Sequence, residues 1–160
     1  PACTNTNECM AAELSDHSIM LNMRERSNRG LMEGNGRAVA VTSDLGKTWS
    51  VHPTSRKALI ESACMAALHR HFYSENGKRK SVLFFSNPNS RTVRNNFTIK
   101  TSFDDGNSWP EPNWLLLDEY DGNGYSCITT IDEKTIGVLY EGSQADIIFQ
   151  QIPVSELIKK

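Results

Sequence analysis

The sequence predicts an all-β chain built from three antiparallel meanders, the pattern of blades in a β-propeller. One short signature occurs twice, sixty residues apart, at 42–49 and 102–109. A cysteine-containing apolar run also recurs, at 8–14, 63–69 and 126–132. Further apolar runs follow each of these three at similar distances. Repetition of one supersecondary unit at a regular spacing indicates a repeat architecture.

The signature reads Thr42-Ser43-Asp44-Leu45-Gly46-Lys47-Thr48-Trp49 in its first copy and Ser102-Phe103-Asp104-Asp105-Gly106-Asn107-Ser108-Trp109 in its second. Its Asp can accept hydrogen bonds from backbone N–H groups across a tight turn, and its Gly permits a positive φ. Its Trp can pack the hairpin onto the sheet. We therefore expect each copy to form a turn between two antiparallel strands. Two chance Asp-x-Gly turns are the weaker alternative, because Trp follows Gly at the same offset in both.

The apolar runs and the turn residues predict eleven strands and a short closing helix. The strands are expected near 9–14, 18–24, 37–42, 49–52, 64–71, 81–86, 97–102, 114–117, 126–131, 135–141 and 146–151. The helix is expected at 153–158, where Pro153 suits a first turn. Each meander thus contains three or four short strands.

Composition argues against several classes of function. A chain of 160 residues with 38% hydrophobic residues can bury a core. Its net charge of −2 gives no electrostatic reason to expect nucleic acid or an anionic membrane as a partner. No apolar run approaches the roughly 20 residues that span a bilayer. We expect neither nucleic acid nor membrane among its partners.

The cysteines and histidines do not predict a metal site. Cys9, Cys64 and Cys127 take the same place in three units, so we expect small buried packing residues on the innermost strands. No CxxC pair occurs among the four cysteines. His69 and His71 would share one face of a strand, the minimal geometry for two metal ligands. No acidic or cysteine partner lies near them in sequence, and we expect no metal and no cofactor.

Polar residues stand at the ends of the first and second strands of the three units. In a propeller, the innermost strands line a central channel, and residues at one mouth of that channel come together. Glu8 and Tyr125 each precede an innermost strand, and Arg24 and Glu141 each close the following strand. Two further arginines, Arg91 and Arg94, lie in the link at 86–96.

With these residues in place, the chain resembles the C-terminal portion of the bacterial exo-α-sialidases (neuraminidases), over about residues 5–157. Tyr125 and Glu141 lie sixteen residues apart, as do Glu8 and Arg24, and these spacings are more specific than the signature. The other matching pieces are Asn7-Glu8-Cys9, Leu14-Ser15-Asp16, Met20-Leu21-Asn22-Met23-Arg24, Phe85-Ser86-Asn87-Pro88, Gly124-Tyr125-Ser126-Cys127-Ile128-Thr129 and Leu139-Tyr140-Glu141. The family implies a six-bladed β-propeller, of which residues 1–160 would supply about three blades, the C-terminal half of the catalytic domain. The signatures at 42–49 and 102–109 are then two Asp boxes.

The resemblance also implies a role for each candidate residue. Tyr125 would be the nucleophile, and Glu8 its general base. Arg24 and Arg94 would be two of three arginines that hold the substrate carboxylate, which planar guanidinium groups bind bidentately. Glu141 would hold the third arginine. Arginines beside the phenol are further expected to lower the pKa of Tyr125.

Two details of the match need comment. Arg94 lies ten residues before Asp104, which is the family's position, and we prefer it to Arg91, which we expect at the rim. Asp16-His17 replaces the family's Asp-Gly turn. Histidine can occupy such a turn at modest cost, so we expect it to be tolerated; a reshaped hairpin is the open alternative.

Two parts of the family's site have no counterpart here, namely the arginine of an Arg-Ile-Pro segment and the acid/base Asp. Three units are half of six, and a half-propeller leaves unpaired edges. We therefore expect a partner, the missing N-terminal half of the propeller, and little hydrolysis by these residues alone.

The complete propeller is expected to release terminal α-linked sialic acid from sialylated glycans with retention of configuration. The resemblance implies a secreted or periplasmic location. Two alternatives stay open: a non-catalytic Asp-box propeller that binds carbohydrate or protein, and a trans-sialidase, which shares every residue named above.

Overall fold

The computed structural model describes residues 2–27, 34–144 and 146–159, which form three antiparallel sheets. The first sheet holds β1 (Thr6–Glu13), β2 (Ile19–Glu25), β3 (Ala38–Thr42) and β4 (Ser50–Val51). The second holds β5 (Ala67–Glu75), β6 (Lys78–Pro88), β7 (Phe97–Ser102) and β8 (Trp114–Asp118). The third holds β9 (Ser126–Asp132), β10 (Thr135–Glu141) and β11 (Ile147–Pro153). A 3-10 turn at Glu111–Asn113 precedes β8, and helix α1 spans Val154–Leu157.

Within each sheet the strands pair in sequence order, so each sheet is a meander. The innermost strands β1, β5 and β9 are neighbours in that order. The prediction of an all-β fold with three propeller blades is confirmed, and the three sheets do not close into a ring. All eleven predicted strands are present, as is the closing helix.

The largest differences from prediction lie in the hairpin of β5 and β6. β5 runs to Glu75 and β6 begins at Lys78, so both strands extend beyond the predicted 64–71 and 81–86. Asn76 and Gly77 connect them with φ values of 52° and 72°. Positive φ at both central residues suits a type I′ turn, for which Asn-Gly is the preferred pair. This short-range signal predicts the longer hairpin, but apolar periodicity alone missed it.

The β1–β2 turn retains its shape with His17 in place of glycine. His17 has a φ of 66°, in the left-handed region. The Asp16 carboxylate accepts hydrogen bonds from the Ser18 backbone N–H at 2.9 Å and from its hydroxyl at 2.6 Å. The expectation that this hairpin tolerates histidine is therefore confirmed.

The Asp box at 42–49 joins β3 to β4 through hydrogen bonds centred on one carboxylate. Asp44 accepts bonds from the Thr48 N–H at 2.9 Å and from the Thr48 hydroxyl at 2.7 Å. The Gly46 N–H donates to Thr42 Oγ1 at 2.9 Å. Gly46 has a φ of 87°, a conformation that glycine adopts without steric cost.

The box at 102–109 repeats this arrangement between β7 and β8. Asp104 accepts bonds from the Ser108 N–H at 2.8 Å and from its hydroxyl at 2.6 Å, and the Gly106 N–H donates to Ser102 Oγ at 2.8 Å. Gly106 has a φ of 84°, and a Cβ there would also come within 2.8 Å of Met20 Cε. The predicted turns between antiparallel strands are thus confirmed in both copies.

Two apolar cores lie between neighbouring sheets. Trp109 packs edge-on against Phe85, with ring centroids 5.8 Å apart, in the core between the first and second sheets. The core between the second and third sheets includes the stacked rings of Phe97 and Tyr140. Helix α1 adds its buried Leu157, whose carbonyl accepts a bond from the Thr101 hydroxyl at 3.0 Å. These cores fix the inner strands relative to one another.

The prediction of three equivalent buried cysteines is wrong for two of them. Cys64 is buried, but it lies in the segment before β5. Cys9 and Cys127 are exposed, because strand alternation turns them away from the face that buries Ala12 and Ile128. All four cysteines are free thiols.

We expect Asp44→Asn to destabilise the protein above about pH 4. We also expect its stability to depend less on pH between about 4 and 2. Hydrogen bonds from the Thr48 N–H and hydroxyl lower the pKa of Asp44 from 3.8 to about 2. A pKa depressed by folding stabilises the protein above the ordinary pKa, and this stabilisation is lost as the pH falls toward 2. Thermal unfolding at several pH values measures the effect. Lys47→Gln, whose exposed side chain lies outside the hydrogen-bonded ring, is the control. An unchanged melting temperature in Asp44→Asn contradicts the prediction.

Candidate active site

Glu8 lies within β1 and not before it as predicted, and it meets Tyr125, which directly precedes β9. The Tyr125 hydroxyl donates to Glu8 Oε1 at 2.6 Å, although the two residues are 117 positions apart. Glu8 lies at a bulge between Asn7 and Cys9 and has a φ of 44°. Bulges commonly redirect a side chain beside a functional site. Here the bulge places the carboxylate of the first blade against the phenol of the third.

Glu141 fixes the backbone that carries the phenol. The Tyr125 N–H donates to Glu141 Oε2 at 3.3 Å, and the Glu141 N–H donates to the Tyr125 carbonyl at 3.0 Å. Gly124 precedes them with a φ of 80°, and a Cβ there would lie 2.6 Å from Pro88 Cγ. Only glycine fits this close approach. Glu141 therefore contacts Tyr125 through its main chain, while its predicted role toward a third arginine stays a prediction.

Arg24, at the end of β2, completes a three-residue cluster. Its Nη1 donates to Glu8 Oε2 at 2.6 Å and lies 3.5 Å from the Tyr125 hydroxyl. The residue is only 8% exposed. Its Nε–H has no hydrogen-bond partner among the described residues. The guanidinium is therefore held by one carboxylate, and its Nε–H is buried without a partner.

Arg94 lies on the other side of the phenol. Its Cζ is 5.6 Å from the centroid of the Tyr125 ring, a cation–π distance. Arg94 Nη1 donates to the Asn123 carbonyl at 2.9 Å, and Nη2 to the Ala63 carbonyl at 3.5 Å. Arg91 instead donates to the Asn35 carbonyl at 2.7 Å. Of the two link arginines, Arg94 is the one that contacts Tyr125.

The pKa of Tyr125 is shifted in the direction opposite to the prediction. The hydrogen bond to the Glu8 carboxylate raises the pKa of Tyr125, burial acts in the same direction, and Arg24 opposes them. The predicted lowering of this pKa is therefore wrong, because a phenolate beside Glu8 would face a like charge. Burial acts to raise the pKa of Glu8, but hydrogen bonds from Tyr125 and Arg24 bring it below its ordinary value. At rest the carboxylate is ionised and the phenol keeps its proton.

Sequence reasoning missed a buried ion pair next to these residues. Arg37 Nη1 lies 2.7 Å from Glu61 Oε2, and both side chains are almost completely buried. Arg37 precedes the apolar run of β3, and Glu61 lies between β4 and β5. A charged residue directly before a buried strand was the available signal, but its partner is 24 positions away.

Other features of the described chain lie apart from this cluster. A cavity of about 560 Å³ lies between the β5–β6 and β9–β10 hairpins, at the strand ends opposite Tyr125. His69 and His71 both contact the Thr130 hydroxyl, at 2.8 and 3.0 Å. Residues 2–27, 34–144 and 146–159 contain no group of three or more His, Cys, Asp or Glu side chains suited to a metal ion. Neither helical segment in these ranges has the length and apolar character of a membrane span.

Comparison with known proteins gives close relatives, although no protein-family model matches the chain. The chain is 49% identical over 158 residues to a protein named sialidase from Bacteroides fragilis (strain YCH46). The resemblance to the sialidase family is confirmed. A sialidase of Micromonospora viridifaciens is 33% identical over 137 residues, which are 84% of this chain. The first match includes 99% of this chain but only 28% of the length of the Bacteroides relative. The second match includes 20% of the length of the Micromonospora relative.

Solved structures agree with this assignment. The Hadza microbial sialidase Hz136 superposes with a TM-score of 0.87 at 43% identity, over 99% of this chain and 29% of that chain. The intramolecular trans-sialidase from Ruminococcus gnavus superposes with a TM-score of 0.68 at 19% identity, over 95% of this chain and 33% of that chain. The second match shows a shared fold alone. The first match shows that the three sheets are similar to blades of a sialidase propeller.

We expect Glu8→Gln to lower the pKa of Tyr125. The substitution removes the carboxylate that raises this pKa and leaves the positive charge of Arg24 beside the phenol. NMR titration of ¹³Cζ-labelled tyrosine, with Tyr125→Phe to assign the signal, measures the shift. Glu141→Gln is the matched control, because Glu141 contacts the Tyr125 main chain and not its hydroxyl. A Tyr125 pKa that stays the same or rises in Glu8→Gln contradicts the electrostatic account.

Proposed function

We propose that these blades carry the nucleophile of an exo-α-sialidase, which releases terminal α-linked sialic acid from sialylated glycans with retention of configuration. The observation that carries the proposal is the 2.6 Å contact between the Tyr125 hydroxyl and the Glu8 carboxylate. Arg24 and Arg94 flank that contact. The 49% identity to a protein named sialidase supports the same activity.

In the proposed reaction, Tyr125 Oη attacks the anomeric carbon while Glu8 takes the phenolic proton. The bond from the anomeric carbon to the leaving oxygen breaks, and a group outside this chain protonates that oxygen. Water then displaces Tyr125 from the covalent intermediate and gives a proton to the same outside group, while the phenolate recovers its proton from Glu8. A neutral phenol suits a substrate whose carboxylate sits on the anomeric carbon, because an Asp or Glu nucleophile would meet a like charge.

The resting charges favour proton transfer during the attack and not before it. Glu8 raises the pKa of Tyr125, and the cluster lowers that of Glu8, so a phenolate formed in advance is disfavoured. As the bond to the anomeric carbon forms, the phenolic oxygen becomes more acidic and its proton can pass to Glu8 along the existing hydrogen bond. We therefore assign Glu8 the part of a general base.

Arg24 and Arg94 would hold the substrate carboxylate, since guanidinium groups remain ionised and bind carboxylates through paired donors. The chain spans about 28% of the Bacteroides relative, so the remaining parts of the site are proposed to lie outside it. These are a third arginine, which Glu141 would hold, and the proton donor. The other half of the propeller would supply both. The proposed location is secreted or periplasmic.

We expect Tyr125→Phe in the complete protein to lower turnover of a sialoside by about 10²-fold or more, since proton transfer and covalent catalysis are both lost. Binding of the unsaturated sialic acid analogue should persist, because both arginines remain. Tyr120→Phe is the matched control, an exposed tyrosine in the same link.

Either of two results would contradict the assignment of Tyr125 as the nucleophile. One is near-normal turnover in Tyr125→Phe, and the other is labelling of a different residue by a 2,3-difluorosialic acid probe. Wild-type protein that binds sialosides without cleaving them would instead favour a binding module. Product analysis with an added sugar acceptor separates hydrolysis from transfer.

The carboxylate clamp gives a second test. Arg94→Ala in the complete protein should weaken binding of the unsaturated analogue by about 2–4 kcal/mol, the usual cost of a desolvated charge-assisted contact. Arg91→Ala is the control, because Arg91 binds Asn35 away from the phenol. Isothermal titration calorimetry measures both. A large loss in Arg91→Ala with unchanged binding in Arg94→Ala would show that the clamp is assigned to the wrong arginine.

A further inference from the structure

Arg37 and Glu61 form an ion pair with no access to solvent. Arg37 Nη1 lies 2.7 Å from Glu61 Oε2, and the two side chains are 0% and 1% exposed. Burial lowers the pKa of Arg37 and raises that of Glu61, because removal from water disfavours both charges. Such pairs often stabilise a fold no better than apolar residues of similar volume. Stability alone is therefore a poor reason for this pair.

Other polar atoms of the pair contact residues on either side of Arg24, namely the backbone of Glu25 and the side chain of Asn22. Glu61 Oε1 accepts a hydrogen bond from the Glu25 N–H at 2.6 Å, directly after Arg24. Arg37 Nε donates to Asn22 Oδ1 at 2.7 Å, two residues before Arg24. The end of β2 is thus attached to the pair at two points, and the Arg24 side chain projects from between them.

Arg37 also contacts the segment at 63–64 that binds Arg94. Arg37 Nη1 also donates to the Cys64 carbonyl at 2.7 Å. The preceding residue, Ala63, has a φ of 54°, and its carbonyl accepts the 3.5 Å contact from Arg94 Nη2. The Arg37 guanidinium therefore contacts residues next to Arg24 and residues next to the Arg94 contact. Arg24 belongs to the first sheet, and Arg94 lies in the link between two strands of the second.

We propose that the Arg37–Glu61 pair is a positioning element that sets the placement of Arg24 and Arg94, and hence the affinity for the sialic acid carboxylate. Neither residue touches the substrate. The inference rests on the proposed function and extends it to two residues outside the predicted site.

The test is the double variant Arg37→Met, Glu61→Leu in the complete protein. Replacing both members removes the four contacts described above without leaving one charge buried and unpaired, so folding should be retained. The dissociation constant of the unsaturated sialic acid analogue should rise by between about tenfold and about 100-fold, as for a small displacement of a binding group. Affinity for the methyl ester of the same analogue should stay close to wild type, because the ester lacks the charged carboxylate.

Two further variants keep the test decisive. If the double variant fails to fold, Asn22→Ala removes the Arg37 Nε acceptor alone and should show the same selective loss for the carboxylate ligand. Ile136→Ala, a cavity in the fully buried part of β10, is the stability control and should leave both affinities unchanged.

Equal affinities of wild type and the double variant for the carboxylate ligand would overturn the inference while leaving the proposed function intact. So would an equal loss for the ester, or the same loss in Ile136→Ala, since either indicates a general structural effect. If the wild type neither binds the analogue nor cleaves a sialoside, the proposed function fails and this inference fails with it.

Discussion

The hydrogen bond from the Tyr125 hydroxyl to the Glu8 carboxylate joins the first and third sheets past the inner strand of the second. Glu8 lies at a bulge in β1, and Tyr125 at the start of β9. Their 2.6 Å separation holds only while both strands keep their places beside β5. Those places are set by two apolar cores, because a close-packed interior resists displacement. The position of one phenol thus depends on the packing of all three sheets.

The meanders could be predicted because their determinants are local. Each Asp box closes on hydrogen bonds within eight residues, so the same signature gives the same turn at 42–49 and 102–109. The orientation of Cys9 and Cys127 could not be predicted by aligning the repeats, since a shift of one residue moves a side chain to the opposite face. The bulge at Glu8 introduces such a shift within β1. Its left-handed φ is a consequence of tertiary packing and leaves no sequence signal on a glutamate.

The residues around the phenol could be predicted, but their buried supports could not. Glu8, Arg24, Arg94 and Tyr125 lie in or near the ends of strands, where chain order and spacing indicate function. Arg37 and Glu61 look like solvated charges in sequence, and only their mutual contact explains their burial. Lys100 is similar: it lies over the Trp114 ring, and burial lowers its pKa to about 7. Charge burial depends on partners distant in sequence, which periodicity does not reveal.

The charge balance around Glu8 bears on how the proposed reaction could use Arg24. Glu8 holds the phenolic proton in place and also binds Arg24, so it raises the pKa of Tyr125 and engages one arginine at once. A substrate carboxylate arriving at this cluster would add a second negative charge and compete with Glu8 for the same guanidinium. Glu8 bonds to Arg24 through Nη1 alone, so the guanidinium could bind a second carboxylate without releasing Glu8. Such sharing requires a fixed guanidinium orientation. The bonds of the ion pair to the Glu25 backbone and to the Asn22 side chain, on either side of Arg24, favour one.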